Sequence, residues 1–414
     1  MVTIVFLSAF FHSASLFSFV DPMSTSRVIL KHGKDKAVRN RHPWIFSGAV
    51  DQMDSELVKG DIAEIYAADN AFLGVGYFNP ESQIVVRMLA FEKAVIDDSF
   101  FEKKISEAVK LRERLLSAGT NAYRLIHAEG DFLPGLIVDR YADHLVVQIS
   151  TAGMEKWKAA IVKALTKHFP NASVYEKSDV ESRKHEGLAR AIGVLAGNEP
   201  PAALEIQENG LLFDVDIKNG QKTGFFLDQR ENRMLVKDLS AGRKILNCFA
   251  YTGGFSVYAA KGGASSVLSV ESSALAVELG KRNLEKNGFS GEKFKWVQED
   301  VFEFLRKGDE RYDLIVLDPP AFCKSKQQVQ HAARGYKDIN MLAMKKLAPG
   351  GLLFTFSCSG HISPDLFQKI VFGAAKDVGR NVRIIKKTGQ PFDHPVNIFH
   401  PEGEYLKGLL CEVA

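Results

Sequence analysis

Apolar residues are spaced differently in three successive stretches of the chain, and each spacing predicts a different kind of structure. From 24 to 93 the pattern is short and β-rich. Ala63–Tyr66, Phe72–Tyr77 and Ile84–Leu89 read as strands, punctuated by turns at Gly60-Asp61, Asp69-Asn70 and Asn79-Pro80. From 94 to 200 the period lengthens. Apolar residues at 101, 105, 108, 109, 111, 115 and 116 predict a helix over Phe100–Ser117, with Gly119 past its end. Strands follow at Leu136–Val138 and Leu145–Ile149, then a second helix over Met154–His168, stopped before Pro170. Gly197–Pro201 reads as a linker.

From 201 to 414 apolar strand-like runs alternate with helical ones. Strands are expected at 244–248, 266–270, 294–297, 314–317, 352–356, 382–386 and 406–413, and helices at 254–261, 273–287, 301–307, 335–347 and 364–379. Such alternation predicts an α/β fold, a doubly wound, mostly parallel sheet with helices on both faces. The expected order is therefore a small β module, a central α+β domain and a Rossmann-like domain.

Residues 1–23 stand apart. Val2 to Val20 is mostly apolar, lacks Lys and Arg, and is interrupted by His12 and four serines. A signal peptide would carry a positive n-region, and a spanning helix a longer unbroken run. An upstream start, with the natural protein beginning at Met23, is the expectation these absences favour. No other stretch is apolar enough to span a bilayer, so neither a membrane nor secretion is expected.

Composition adds little: 46% hydrophobic and 25% charged residues are an ordinary globular balance. The net charge of +3 says nothing of partners, but its distribution does. Arg27 to Arg41 holds six Lys/Arg and one Asp, Lys324 to Lys346 six more and one Asp, and Lys218, Lys222, Arg230 and Arg233 form a third cluster. Basic runs are usually solvated surface. Three that flank one candidate site suit RNA phosphates, through Arg39, Arg41, Lys222, Lys324 and Lys326. Four cysteines without metal-ligand spacing exclude a disulfide scaffold and predict a reducing, cytoplasmic setting without a metal.

The candidate site follows the order of the strands. Strand 244–248 runs into Phe249-Ala-Tyr-Thr-Gly-Gly254, where glycines let a ligand approach the backbone. The second strand ends at Glu271, placed to bind ribose hydroxyls, and the third near Asp300-Val301, placed to accept from an adenine amino group. Asp300 serves equally well as a helix N-cap. The fourth ends at Asp318-Pro-Pro320. No full G-x-G-x-x-G is present, which lowers the dinucleotide reading against a methyl-donor site. Strand 352–356 delivers Ser357-Cys358-Ser359-Gly360 to the same edge. Methylating carbon 5 of a pyrimidine needs covalent attack at carbon 6, and a thiolate suits that task. Cys358 fits by position, though a cytosolic thiol is more often an inert buried one. Asp318 would hold the cytosine ring edge.

Five segments then carry a resemblance: Lys222-Thr-Gly-Phe-Phe-Leu-Asp-Gln-Arg230, Leu246 to Phe255, Asp318-Pro-Pro320, Gly335-Tyr-Lys-Asp-Ile-Asn340 and Phe356-Ser-Cys-Ser-Gly360. With Arg41 to Gly48, Asp393-His-Pro-Val396 and Pro401 to Gly408, they resemble the bacterial large-subunit (23S) ribosomal RNA cytosine-5 methyltransferases, over about 24 to 414. The resemblance implies a PUA-type N-terminal module, S-adenosylmethionine as cofactor, 23S rRNA as substrate, free or in an assembly intermediate, and a monomer or homodimer. It implies Cys358 as nucleophile with Asp318 beside it. Around the cofactor it implies Asn247, Phe249, Tyr251, Thr252, Gly253, Gly254, Glu271, Ser272, Asp300, Val301, Asp318 and Pro319, with Gln229 and Arg230 closing the cofactor or RNA side. Cys323 and the leader have no counterpart. One rival is a guanine-nitrogen methyltransferase, in which Phe322 stacks on the purine and Cys358 has no task; another is a non-catalytic RNA-binding assembly protein.

Overall fold

A computed structural model describes residues 26–323 and 325–414. The expectations for the leader and for Lys324 lie outside them. The N-terminal module is a six-stranded sheet in the spatial order Trp44–Phe46, Ile84–Ala90, Phe72–Phe78, Ile62–Tyr66, Arg27–Leu30, Val50–Met53. Its strands bend sharply enough to bring backbones together. A Cβ on Gly74 would sit 2.3 Å from the Ala90 carbonyl oxygen, so only glycine fits there.

The central domain is a five-stranded sheet ordered Ala191–Ala196, Ser173–Ser178, His144–Ile149, Leu136–Tyr141, Ala122–His127. Helix Asp98–Leu115 begins where the Asp97 side chain accepts from the Phe100 amide, and it buries Phe101, Ile105, Ala108 and Val109 against this sheet. The expected single helix over Met154–His168 is two, Ala152–Lys156 and Lys158–His168, broken at Trp157. Packing explains the break. Gly153 lies against the Tyr77 ring of the N-terminal module, where a Cβ would fall 2.1 Å from a ring carbon, while Trp157 turns to stack near Phe101 at 5.1 Å.

Hairpin Leu204–Glu208/Leu211–Val215 joins the central domain to the last one. Its Ile206, Phe213 and Val215 share a core with Tyr141 and Val146 on one side and Val257 and Tyr258 on the other.

The last domain is the expected sheet. Its seven strands lie in the order Phe294–Gln298, Ser266–Glu271, Lys244–Cys248, Tyr312–Leu317, Leu347–Ser357, Lys407–Val413, Val382–Thr388, and only Lys407–Val413 runs antiparallel to its neighbours. The order reverses between Lys244–Cys248 and Tyr312–Leu317. That is a topological switch point, where the two flanking loops diverge and leave a crevice. Among the described residues no helix is long and apolar enough to cross a membrane.

Buried charge ties the domains together. The Arg112 guanidinium binds Asp131 through both terminal nitrogens, at 2.5 and 2.7 Å, and donates to the Asp393 carbonyl at 2.8 Å. The Asp393 carboxylate accepts from the Arg124 amide at 2.9 Å and from Arg230 at 2.8–2.9 Å. Asp393 is wholly buried. Removing one partner strands the other in a dry interior, which costs about 3–5 kcal/mol. Asp393→Ala is therefore expected to lower stability in urea by roughly that amount. The double variant Arg230→Met/Asp393→Leu recovers much of it. A loss below about 1 kcal/mol would contradict this role for the pair.

Candidate active site

The turn after strand Lys244–Cys248 is unusually constrained. Phe249 (φ 57°), Tyr251 (φ 46°) and Gly253 (φ 82°) all adopt left-handed conformations, a costly arrangement for two non-glycine residues. Neighbours hold it: the Tyr251 amide donates to Glu271 Oε2 at 2.9 Å, Asn283 donates to the Thr252 carbonyl at 2.9 Å, and the Tyr251 hydroxyl donates to the Gly224 carbonyl at 3.2 Å. Glu271 Oε1 accepts from the Ser273 amide at 2.9 Å, so one carboxylate ties the first two loops of the sheet together.

The loops enclose a cleft of about 920 Å³, open mouth included, at the switch point. Phe249, Tyr251, Thr252, Gly254, Glu271, Ser272, Asp318, Pro319, Gln229, Lys222 and Cys358 all line it. The structure thus gathers residues 136 positions apart, Lys222 to Cys358, into one crevice. Its size suits a ligand of nucleoside dimensions.

Other expected residues stand outside the lining. Arg230 is engaged in an ion pair with Asp393 and does not line the cleft. Asn247 is buried behind the turn, donating to Ser256 Oγ at 2.8 Å. Gly253 faces Trp296, which a Cβ would approach to 3.1 Å, and so shapes the turn from behind. Val301 belongs to the core, and Asp300 is exposed, its side chain capping helix Val301–Arg306 through the Glu303 amide at 3.1 Å. The helix-capping alternative describes what Asp300 does here.

The basic residues divide likewise. Lys222, expected on an RNA-facing surface, is in the cleft: its ammonium pairs with Asp228 Oδ2 at 2.7 Å and lies 4.4 Å from the Phe226 ring centroid. Arg39 is exposed and pairs with Asp35 at 2.5 Å and Asp69 at 3.6 Å. Arg41 and Lys326 are exposed.

Two carboxylates in the cleft are driven in opposite directions. Burial alone would raise Asp228, but Lys222, His394 and the Tyr405 hydroxyl, 2.7 Å away, hold it far below the usual carboxylate range. Asp318 is raised to about 7 by burial and by the neighbouring Asp228 charge, against the smaller pull of Lys222 and a hydrogen bond from Gln229. One is a fixed anion; the other is protonated for much of the neutral range.

Cys358 is the only described cysteine with appreciable exposure; Cys248, Cys323 and Cys411 are buried. Burial pushes its thiol up to about 11, with Lys222 pulling down and Asp318 and Asp228 pushing up. Its loop is held on every side. Tyr336 shares a hydrogen bond with Ser359 Oγ at 3.0 Å, the Cys323 amide donates to the same oxygen at 3.3 Å, and the Lys407 ammonium donates to the Ser359 carbonyl at 2.7 Å. Strand register sets Lys407 opposite Ser357. Lys407 was not singled out from the sequence, although it lies within the quoted Pro401–Gly408 run. Phe322 packs on Tyr336 at 4.6 Å and is not part of the cleft lining.

The residues present fit a methyl donor. The turn brings bare backbone to the ligand, and a Cβ at Gly254 would close to 3.1 Å of the Arg233 side chain. Thr252 Oγ1 and Asp228 Oδ1 are buried polar atoms without a hydrogen-bond partner among the described residues, and such atoms are usually satisfied by something. Two carboxylates suit ribose hydroxyls at one end and a cationic centre at the other.

Comparison with known proteins agrees with this geometry. The family model for S-adenosylmethionine-dependent methyltransferases matches residues 170–395, and that for PUA-like domains residues 28–91. The chain is 47% identical over 394 residues to ribosomal RNA large subunit methyltransferase I of Aliivibrio fischeri, covering 94% of this chain and 100% of that one. To the protein of the same name in Yersinia pestis it is 44% identical with the same coverage. Among solved structures, a candidate SAM-dependent methyltransferase from Streptococcus mutans superposes with a TM-score of 0.81 at 25% identity, over 94% of this chain and 100% of that one. A candidate methyltransferase complexed with SAH gives 0.82 at 25% identity and the same coverage. With its cofactor cleft at the switch point and a PUA-like module before it, this chain belongs to the S-adenosylmethionine-dependent methyltransferases, in the family of the large subunit ribosomal RNA methyltransferase I proteins.

Proposed function

We propose that this enzyme acts in the cytoplasm on large-subunit (23S) ribosomal RNA and methylates carbon 5 of a cytosine through a covalent bond to Cys358. The observation that carries the reading is the meeting, in one cleft, of a partly exposed cysteine held on all sides with a carboxyl that stays protonated near neutrality. The names of the relatives supply the RNA class.

When bound, S-adenosylmethionine supplies an electrophilic methyl group to carbon 5. The protein's task is to make that carbon nucleophilic. The Cys358 thiolate adds to carbon 6, forming a carbon–sulfur bond and shifting an electron pair toward carbon 5 and ring nitrogen 3. Asp318 in its protonated form donates to nitrogen 3 and neutralises the charge that develops there. Taking the methyl group would leave the donor as the neutral thioether S-adenosylhomocysteine, and the carbon-5 proton then passes to solvent water. The electron pair re-forms the ring double bond, the carbon–sulfur bond breaks, and the thiolate is restored. Asp228, Glu271 and the turn at 249–254 hold the cofactor. Phe322 packs on Tyr336 and does not line the cleft, which favours this reading over a guanine-directed one.

Cys358→Ala is expected to lower transfer by at least about a thousandfold, as loss of a covalent catalyst does, with calorimetric affinity for the cofactor unchanged. RNA carrying 5-fluorocytidine should form a covalent adduct with the native enzyme, visible by mass, and none with the variant. Turnover that survives the substitution would end the covalent account.

The reactive pair, thiolate with protonated carboxyl, sets a pH dependence. Below about 7 Asp318 stays protonated and the thiolate fraction rises about tenfold per pH unit. Above about 7 each further gain in thiolate is cancelled by loss of the Asp318 proton, up to about 11. The profile of kcat/KM should therefore climb and then level near 7. In Asp318→Asn, slower throughout, the climb should continue past 8, whereas levelling at the same pH would assign the inflection to another group.

A further inference from the structure

A second cleft lies where all three domains meet, away from the residues of the first. The N-terminal module contributes Arg41 and Phe91, the central domain Lys104 and Phe132, and the C-terminal segment Asn397 and Phe399. It encloses about 700 Å³ with its mouth. Phe132 is 48% exposed, Phe399 43% and the adjoining Ile398 86%, large apolar surface brought together from two domains.

The cations here are set over rings. The Arg41 guanidinium lies 5.2 Å from the Phe91 centroid and 5.7 Å from Phe399, and the Lys104 ammonium lies 5.2 Å from Phe132. Arg41 is held in place as the left-handed cap of helix Lys36–Arg39 (φ 62°), its amide donating to the Val38 carbonyl at 2.8 Å and the His42 amide to the Ala37 carbonyl at 2.9 Å. Arg41 also ends the basic run that begins at Arg27, cationic surface of the kind that suits the phosphates of an RNA strand. The cleft has acidic members too: Glu92 and Glu129, the latter accepting from the Trp44 indole at 2.8 Å through Oε1. A planar, uncharged ligand with an amino edge suits this lining: rings and a guanidinium plane for its faces and a carboxylate for its edge, while Asn397 is occupied in fixing the walls, donating to the Glu129 carbonyl at 3.3 Å and accepting from the Phe399 amide at 3.0 Å. A phosphate or an anionic peptide would meet the carboxylates instead.

We propose that this three-domain cleft holds an unstacked base of the RNA strand, at a nucleotide distinct from the one being methylated. Single-stranded RNA is recognised in this way, by stacking bases on aromatic side chains and arginine planes. A base captured here would set the distance along the strand to the target and so contribute to the choice of site. The inference rests on RNA being the substrate.

The test uses the whole enzyme and unmodified single-stranded fragments of large-subunit rRNA in which 4-thiouridine replaces one nucleotide at a time. Irradiation should join one position outside the target to the peptide holding Phe399 or Phe132. Phe399→Ala and Phe132→Ala should each raise the KM for RNA about tenfold, in keeping with loss of one stacked base, and leave kcat unchanged. Arg41→Lys, which keeps the charge and loses the plane, should fall between them and the native enzyme. Crosslinks that map only elsewhere, together with an unaltered KM, overturn the proposal. Variants impaired on ribosomal particles but normal on free RNA would give the cleft to a ribosomal protein and overturn it as well. If the native enzyme transfers no methyl group to any RNA, the failure belongs to the function proposed above.

Discussion

The buried Asp393 carboxylate is the constraint on which the arrangement of this molecule turns. It lies in the segment between the last two strands of the large sheet, yet its partners come from two domains: the Arg124 amide of the central sheet and the Arg230 guanidinium just ahead of the first strand. A charge so deeply buried tolerates only this geometry. The segment that carries it then has little freedom. Tyr405 meets Asp228, and Lys407 meets the Ser359 carbonyl beside Cys358. The strand-end residues at the switch point and the residues that tune them are therefore brought to one place by a contact that touches no ligand.

From that placement the chemistry follows by electrostatics. Asp228 and Asp318 share a cleft and are chemically identical, but Asp228 has Lys222 and a tyrosine hydroxyl to itself. Two adjacent carboxylates rarely both ionise fully in a half-dry site. The charge goes to Asp228, the better paired of the two, and Asp318 keeps its proton to higher pH. On the proposed reading a cytosine would need one donor at its ring nitrogen and a nucleophile at carbon 6, and Asp318 and Cys358 line the same cleft. Burial, with the charges of Asp318 and Asp228, also raises the Cys358 thiol, to about 11, against the pull of Lys222.

Much of this was legible in the residues, for reasons that can be named. The seven strands of the last domain are short apolar runs separated by amphipathic helices, and nearly all lie within one or two residues of their expected bounds; Leu347–Ser357 starts five residues earlier. The loop residues Phe249 to Gly254, Glu271, Asp318 and Cys358 follow from strand order alone, because every parallel strand delivers its end to the same edge. What escaped was long-range. Strands Ala122–His127, Ser173–Ser178 and the hairpin at 204–215 carry arginine, glutamate, lysine and glutamine among their apolar positions, so their period is blurred. Arg230 reads in the sequence as closing the cofactor or RNA side, and Lys222 as an RNA contact. Their partners are Asp393, 163 residues away, and Asp228 across a turn whose shape depends on the whole sheet. Asp300 shows the converse. Its position at a strand end suits both a ligand and a helix cap, and its Oδ1 accepts from the Glu303 amide at 3.1 Å.

The most direct test is to supply methyl-labelled S-adenosylmethionine and large-subunit rRNA lacking the modification, digest the product to nucleosides and locate the label. The account predicts label in 5-methylcytidine. Label in a methylguanosine would leave the fold and the cofactor cleft standing and would contradict the role assigned to Cys358.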